Sequence, residues 1–141
     1  MSTKVNEKRS EKHLLDLLKV EGLSGREATV AAAIREKFIA AGCRPSWIRH
    51  DRVNRQIPDG DWGGWEIGNL IVKIPGTIRA PRRLFMGHMD TVPLCRGAVP
   101  IKKGNRIVSK GDTALGGDNR TACAALVTMV ETLLKSEAPR R

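Results

Sequence analysis

Leu84-Phe85-Met86-Gly87-His88-Met89-Asp90-Thr91-Val92-Pro93 decides how the chain is read. Arg83 to Met86 is a short apolar burst, the pattern of a strand buried on both faces. A histidine follows at the strand's C-terminal end, where open α/β sheets gather their ligands. An aspartate stands two residues further on, and Pro93 stiffens the loop. A histidine ligand needs its second ring nitrogen held by an acceptor, and Asp90 is spaced to be that acceptor. Taken alone, a histidine after a strand is more often structural than a ligand.

Working outward, Met1 to Glu7 reads as a loose tail, with residues 1–9 left outside the packed domain. His13-Leu14-Leu15, Leu17-Leu18 and Val20 fit one face of a short helix that stops near Gly22. Ser24-Gly25-Arg26-Glu27 has capping-box spacing. It predicts a helix from about Arg26 to Ala41, with Val30, Ile34 and Phe38 four apart and Gly42 as the stop. Pro45 to Arg49 reads as a short strand, and Val53 to Gly64 as a turn-rich loop in which Trp62 and Trp65 flank Gly63-Gly64. Trp65 to Ile74 alternates and then turns apolar, as a strand entering a sheet does. Val99 to Lys103 and Arg106 to Ser109 flank Gly104-Asn105 as a hairpin. Thr121 to Lys135 is the last helix, with Leu126, Met129, Val130, Leu133 and Leu134 on one stripe. Helix, strand, strand, hairpin and helix predict one α/β domain over residues 1–141, with helices packed on a central mixed sheet.

The 141 residues suffice for one domain, and the apolar and charged shares, 40% and 28%, are ordinary. With two Phe, three Trp and no Tyr, the core must rest on Val, Ile, Leu and Ala. The net charge of +10 is high and raises an alternative: a basic α/β binding module for nucleic acid or another acidic partner. The basic residues are scattered, and no aromatics interleave them as a base-stacking surface requires. A solvated basic surface is therefore the preferred reading. Cys43, Cys95 and Cys123 form no paired pattern, so neither a disulfide framework nor a cysteine zinc site is expected. The polar N-terminus is no signal peptide, and no apolar run spans a bilayer. A cytoplasmic setting is the default expectation.

A second stretch carries chemistry: Thr113-Ala114-Leu115-Gly116-Gly117-Asp118-Asn119-Arg120-Thr121-Ala122. Two glycines precede an aspartate at the mouth of a helix. On its own this is a helix cap, and its glycine spacing matches neither common phosphate-binding fingerprint.

Together, Gly-His-Met-Asp-Thr-Val-Pro at 87–93 and Gly-Gly-Asp-Asn-Arg at 116–120 change the reading. The ordered pair resembles the zinc-dependent metallopeptidases of the peptidase T, carboxypeptidase G and aminoacylase group. Ala114 to Asn119, and Gly68-Asn69-Leu70-Ile71-Val72 ahead of the histidine strand, look most like the peptidase T branch. The resemblance covers roughly Ser10 to Lys135. It implies that His88 binds one metal, that Asp118 bridges two, and that Asp90 orients His88 as part of the catalytic apparatus. It implies a cis bond between Asp118 and Asn119. Thr121-Ala122 departs from relatives, which often carry a small residue and glycine there, and Gly117 replaces a common alanine.

The implied activity is that of an aminopeptidase hydrolysing peptide or amide bonds. Two Zn2+ ions, or Co2+ or Mn2+, roughly 3.5–4 Å apart would activate a shared water. The resemblance places the general base in a Glu-Glu pair on the next strand, which these 141 residues do not contain. The expectation is thus a truncated catalytic domain, inactive alone, taking peptide substrates when complete. The same reading makes Glu131 and Glu137 solvated helix residues, puts His13 near a helix face and His50 in a loop, and expects an open sheet edge prone to pairing.

Overall fold

The computed structural model describes residues 4–56, 64–136 and 139. Pro58 to Gly63, including Trp62, lies outside the described residues, as does Glu137. The architecture is mixed α/β, with three helices and small antiparallel sheets.

Helix α1 spans Glu7–Leu18. It takes in three residues that the sequence left in the tail. The cause is local: Asn6 caps the helix through its side chain, accepting from the Arg9 N–H at 3.0 Å. Glu7 adds a negative charge where the helix dipole favours one. Helix α2 spans Ala28–Ala40, two residues shorter at its start than the capping-box reading predicts. The box does not form. Glu27 turns its carboxylate back to the Gly25 N–H at 2.7 Å, while Ser24 bonds elsewhere. The free N–H of Ala28 is instead met by Glu66 at 3.1 Å, from 38 positions away.

Helix α3 spans Gly117–Lys135, with Asp118 and Asn119 departing from helical geometry and a cis peptide between them. Its buried face includes Cys123, Ala124, Val127, Val130 and Glu131. Of the expected stripe only Val130 is buried; Leu126 and Leu134 pack at the margin of the core and Met129 is exposed. The helix carries apolar residues on more than one face, and the face turned to the other helices is the one that packs. Leu17, Val30 and Val127 are fully enclosed there, each burial contributing roughly 1.5–3 kcal/mol. Glu131 is a correction to its solvated reading: it is 4% exposed. Arg9 Nε at 2.6 Å, Lys135 Nζ at 2.5 Å and His13 Nε2 at 3.2 Å surround its carboxylate and tie α3 to α1.

The strands are short and lie in two ladders rather than one sheet. β1 (Ile48–His50) follows a 3-10 turn at Pro45–Trp47 and pairs antiparallel with β2 (Leu70–Val72), His50 opposite Leu70. His50 is therefore in a strand and not a loop. β3 (Pro100–Lys103) and β4 (Arg106–Ser109) form the expected hairpin, turning at Gly104, whose φ of +61° suits glycine.

The largest departure concerns Arg83 to Met86. No strand forms there among the described residues. Leu84, Phe85 and Met86 are 82%, 55% and 79% exposed. The apolar pattern is that of a central strand, but a central strand needs neighbours on both edges, and no described strand pairs with this segment.

Candidate metal centre

His88 stands where the extended segment meets α3. The approach is close because residue 87 is glycine: a Cβ there would lie 2.9 Å from the Ala122 Cβ. Cys123 Sγ donates to the His88 carbonyl at 3.4 Å. One residue past Asp90, Thr91 donates its N–H to the Gly22 carbonyl at 2.9 Å and forms a parallel bridge with Leu23. The loop from His88 to Thr91 is thus pinned at both ends.

Between those pins the three predicted residues meet. His88 Nδ1 lies 3.0 Å from Asp90 Oδ1, and His88 Nε2 lies 3.0 Å from Asp118 Oδ1. Asp90 is held in turn by Ser24, whose hydroxyl donates to Oδ2. Burial opposes charging of the imidazole, but the Asp118 bond and the Asp90 charge and bonds outweigh it, so the His88 pKa is raised. Asp118 presents a side chain 93% exposed, that of His88 is 50% exposed and that of Asp90 30%. The outward end of this chain of contacts is open to solvent.

The donor set can be tested against a metal. A neutral imidazole nitrogen and a carboxylate oxygen converging from separate elements suit zinc or a similar divalent ion. Asp90 stands where an acceptor is needed to fix the imidazole tautomer. The fit is partial. Among the described residues no group of three or more His, Cys, Asp or Glu surrounds one point, and a closed zinc site takes four ligands. His13 and His50 lie elsewhere, bonded to Glu131 and to the Gly68 carbonyl.

Three residues at this site were not singled out in the sequence. Ser24, read as a helix cap, holds Asp90 from 66 positions away. Glu27 is 6% exposed, and burial, with Asp90 and Glu66 nearby, raises its pKa against the Gly25 hydrogen bond. Arg120 is 1% exposed and donates to the Val20 carbonyl at 3.1 Å, anchoring the start of α3 to the end of α1. Burial pulls its pKa down, opposed by Cys123, Asp90 and Cys95. The capping-box spacing of Ser24 and Glu27 points to a helix start and not to this site, and no local pattern marks Arg120, whose partner lies 100 positions away.

His88, Asp90, Asn119 and Glu27 sit on a trough of about 780 Å3, walled by Trp65, Leu70, Ile71, Leu84, Phe85 and Leu126 among others.

Two solved peptidase structures are similar in overall fold to this chain. One is a tripeptidase from Staphylococcus aureus, with a TM-score of 0.81 and 28% identity over 96% of this chain and 34% of its own. The other is the aminopeptidase PepT from Bacillus cereus, with a TM-score of 0.76 and 25% identity over 98% of this chain and 35% of its own. The uncharacterized protein YqjE of Bacillus subtilis (strain 168) is 29% identical over 129 residues, 92% of this chain and 32% of that protein. No family model matches the chain. The chain spans about a third of the length of the relatives it matches. No helix among the described residues is long and apolar enough to cross a membrane.

Proposed function

We propose that this chain supplies the opening part of a two-metal peptidase centre of the peptidase T-like aminopeptidase kind. The observation that carries the reading is the convergence of His88 Nε2 and Asp118 Oδ1, 3.0 Å apart, at the open end of the site. His88 would be a ligand to one ion, and Asp118 the carboxylate that would be shared with a second. Asp90 holds the imidazole so that Nε2 faces outward. Held by these residues, Zn2+, Co2+ or Mn2+ would supply Lewis acidity towards a scissile carbonyl and a water.

The similarity to a tripeptidase and an aminopeptidase supports peptide substrates. These residues do not complete the reaction. Glu131 is enclosed by Arg9, Lys135 and His13 and is not available as a general base, and no Glu-Glu pair occurs in the sequence. The 141 residues alone therefore bind metal weakly and do not turn over peptide. Free thiols at Cys43, Cys95 and Cys123 are in keeping with a cytoplasmic setting.

The experiment is a zinc titration by calorimetry, with the His88 ring protons followed by NMR. We expect one weak site that moves the His88 resonances and is lost in His88→Ala and in Asp118→Ala. Wild-type zinc binding in both variants refutes the assignment.

A further inference from the structure

We infer that the cavity between the end of α1, the 91–98 loop and the start of α3 binds one small monovalent anion of the halide class, held by the Arg120 guanidinium. This does not rest on the metal reading of His88 and Asp118.

The first support is an uncompensated charge. Arg120 is 1% exposed, yet no carboxylate pairs with it among the described residues. A guanidinium has donors and no acceptor. Nη2 donates to the Val20 carbonyl at 3.1 Å, and Nη1 is buried with no hydrogen-bond partner among the described residues. Val20 lies just past α1, so the carbonyl end of that helix offsets part of the charge. A buried full charge still calls for a counter-charge. Glu21 does not supply it: its side chain is 56% exposed and meets Arg96 Nε at 3.6 Å.

The second support is the room beside this charge. Arg120 lines a cavity of about 70 Å3, together with Leu18, Thr91, Cys95, Ala98 and Leu115 among others. A single water needs only about 10–15 Å3, so a larger guest fits. More donors border the space. The N–H groups of Glu21, Gly97 and Leu115, all lining residues, make no hydrogen bond among the described residues. Lys19, also in the lining, is exposed and has no ion pair among them. Water satisfies donors but leaves the charge of Arg120 unanswered. Leu18, Ala98 and Leu115 make the walls partly apolar, which disfavours a strongly hydrated multivalent anion. A halide is compact, carries one charge and sheds its water more cheaply.

The probe is chloride, titrated into the 15N-labelled 141-residue chain at constant ionic strength, with gluconate as the replaced anion because it is too bulky for the cavity. We expect saturable amide shifts at Glu21, Gly97 and Leu115 and a broadened 35Cl resonance, with half-saturation between about 1 and 100 mM. Arg120→Met removes the charge and Ala98→Leu fills the cavity while keeping Arg120. Each weakens chloride binding by about tenfold or more, and Ala98→Leu decides the matter if Arg120→Met does not fold. Three results overturn the inference: no saturable response to chloride, the same shifts with gluconate, or wild-type chloride binding in Ala98→Leu.

Discussion

Ser24 donates its hydroxyl to Asp90 Oδ2, and Asp90 Oδ1 in turn meets His88 Nδ1 at 3.0 Å. The imidazole orientation is thus set from the turn before α2. Outer partners of this kind commonly change metal affinity by about 10–100-fold. Ser24→Ala is expected to lower zinc affinity by about tenfold or more while leaving the circular dichroism spectrum unchanged. Unaltered affinity by calorimetry contradicts the relay.

Glu131 offers a test of stability and its pH dependence. Burial raises its pKa, but Lys135, His13 and Arg9 more than offset this, and the net shift is downward from 4.5. A depressed folded-state pKa means the stabilisation is present above the unfolded value and is lost as pH falls through the folded one. Glu131→Gln is expected to cost about 1.5–3 kcal/mol at neutral pH. In urea melts the gap between variant and wild type narrows as pH drops below 4.5. A constant gap across that range counts against the ion cluster.

Gly87 tests the seat of the histidine segment. An added Cβ meets the Ala122 Cβ at 2.9 Å, and overpacking of this kind costs about 1–3 kcal/mol. Gly87→Ala is expected to destabilise by that amount. In the double variant with Ala122→Gly the clash is relieved, so the pair is more stable than the two single effects added together. Simple additivity in a double-mutant cycle shows that the contact is not tight.

Core and trough differ sharply in expected response. Leu17 is wholly enclosed, and Leu17→Ala is expected to cost about 2–5 kcal/mol. Leu84, 82% exposed, is expected to tolerate alanine within about 0.5 kcal/mol. Denaturation midpoints of the two variants decide this, and a large loss at Leu84 means that the segment is packed after all.

The elements most legible in the sequence were those with local causes. The hairpin about Gly104 and the helix ending at Lys135 follow from turn chemistry and periodicity. The meeting of His88, Asp90 and Asp118 was reached only by likeness to a family, since spacing alone left each with a structural reading. What was not legible depends on distant partners. Ser24 and Glu27 have the spacing of a capping box, yet Asp90 and Gly25 take their side chains. Glu131 looks like a solvated helix residue until Arg9 and His13 are brought against it. Leu84 to Met86 carry the composition of an interior strand, and composition does not reveal whether neighbours are present.

Cys43 and Cys123 lie in the core, and burial raises the pKa of each. Alkylating reagents attack thiolates, so these two sulfurs are shielded both by access and by protonation. Cys95, only partly covered, has no such enclosure. Under native conditions a maleimide therefore finds a single labelling position, and the delayed capture of the other two clocks how often the helical core opens.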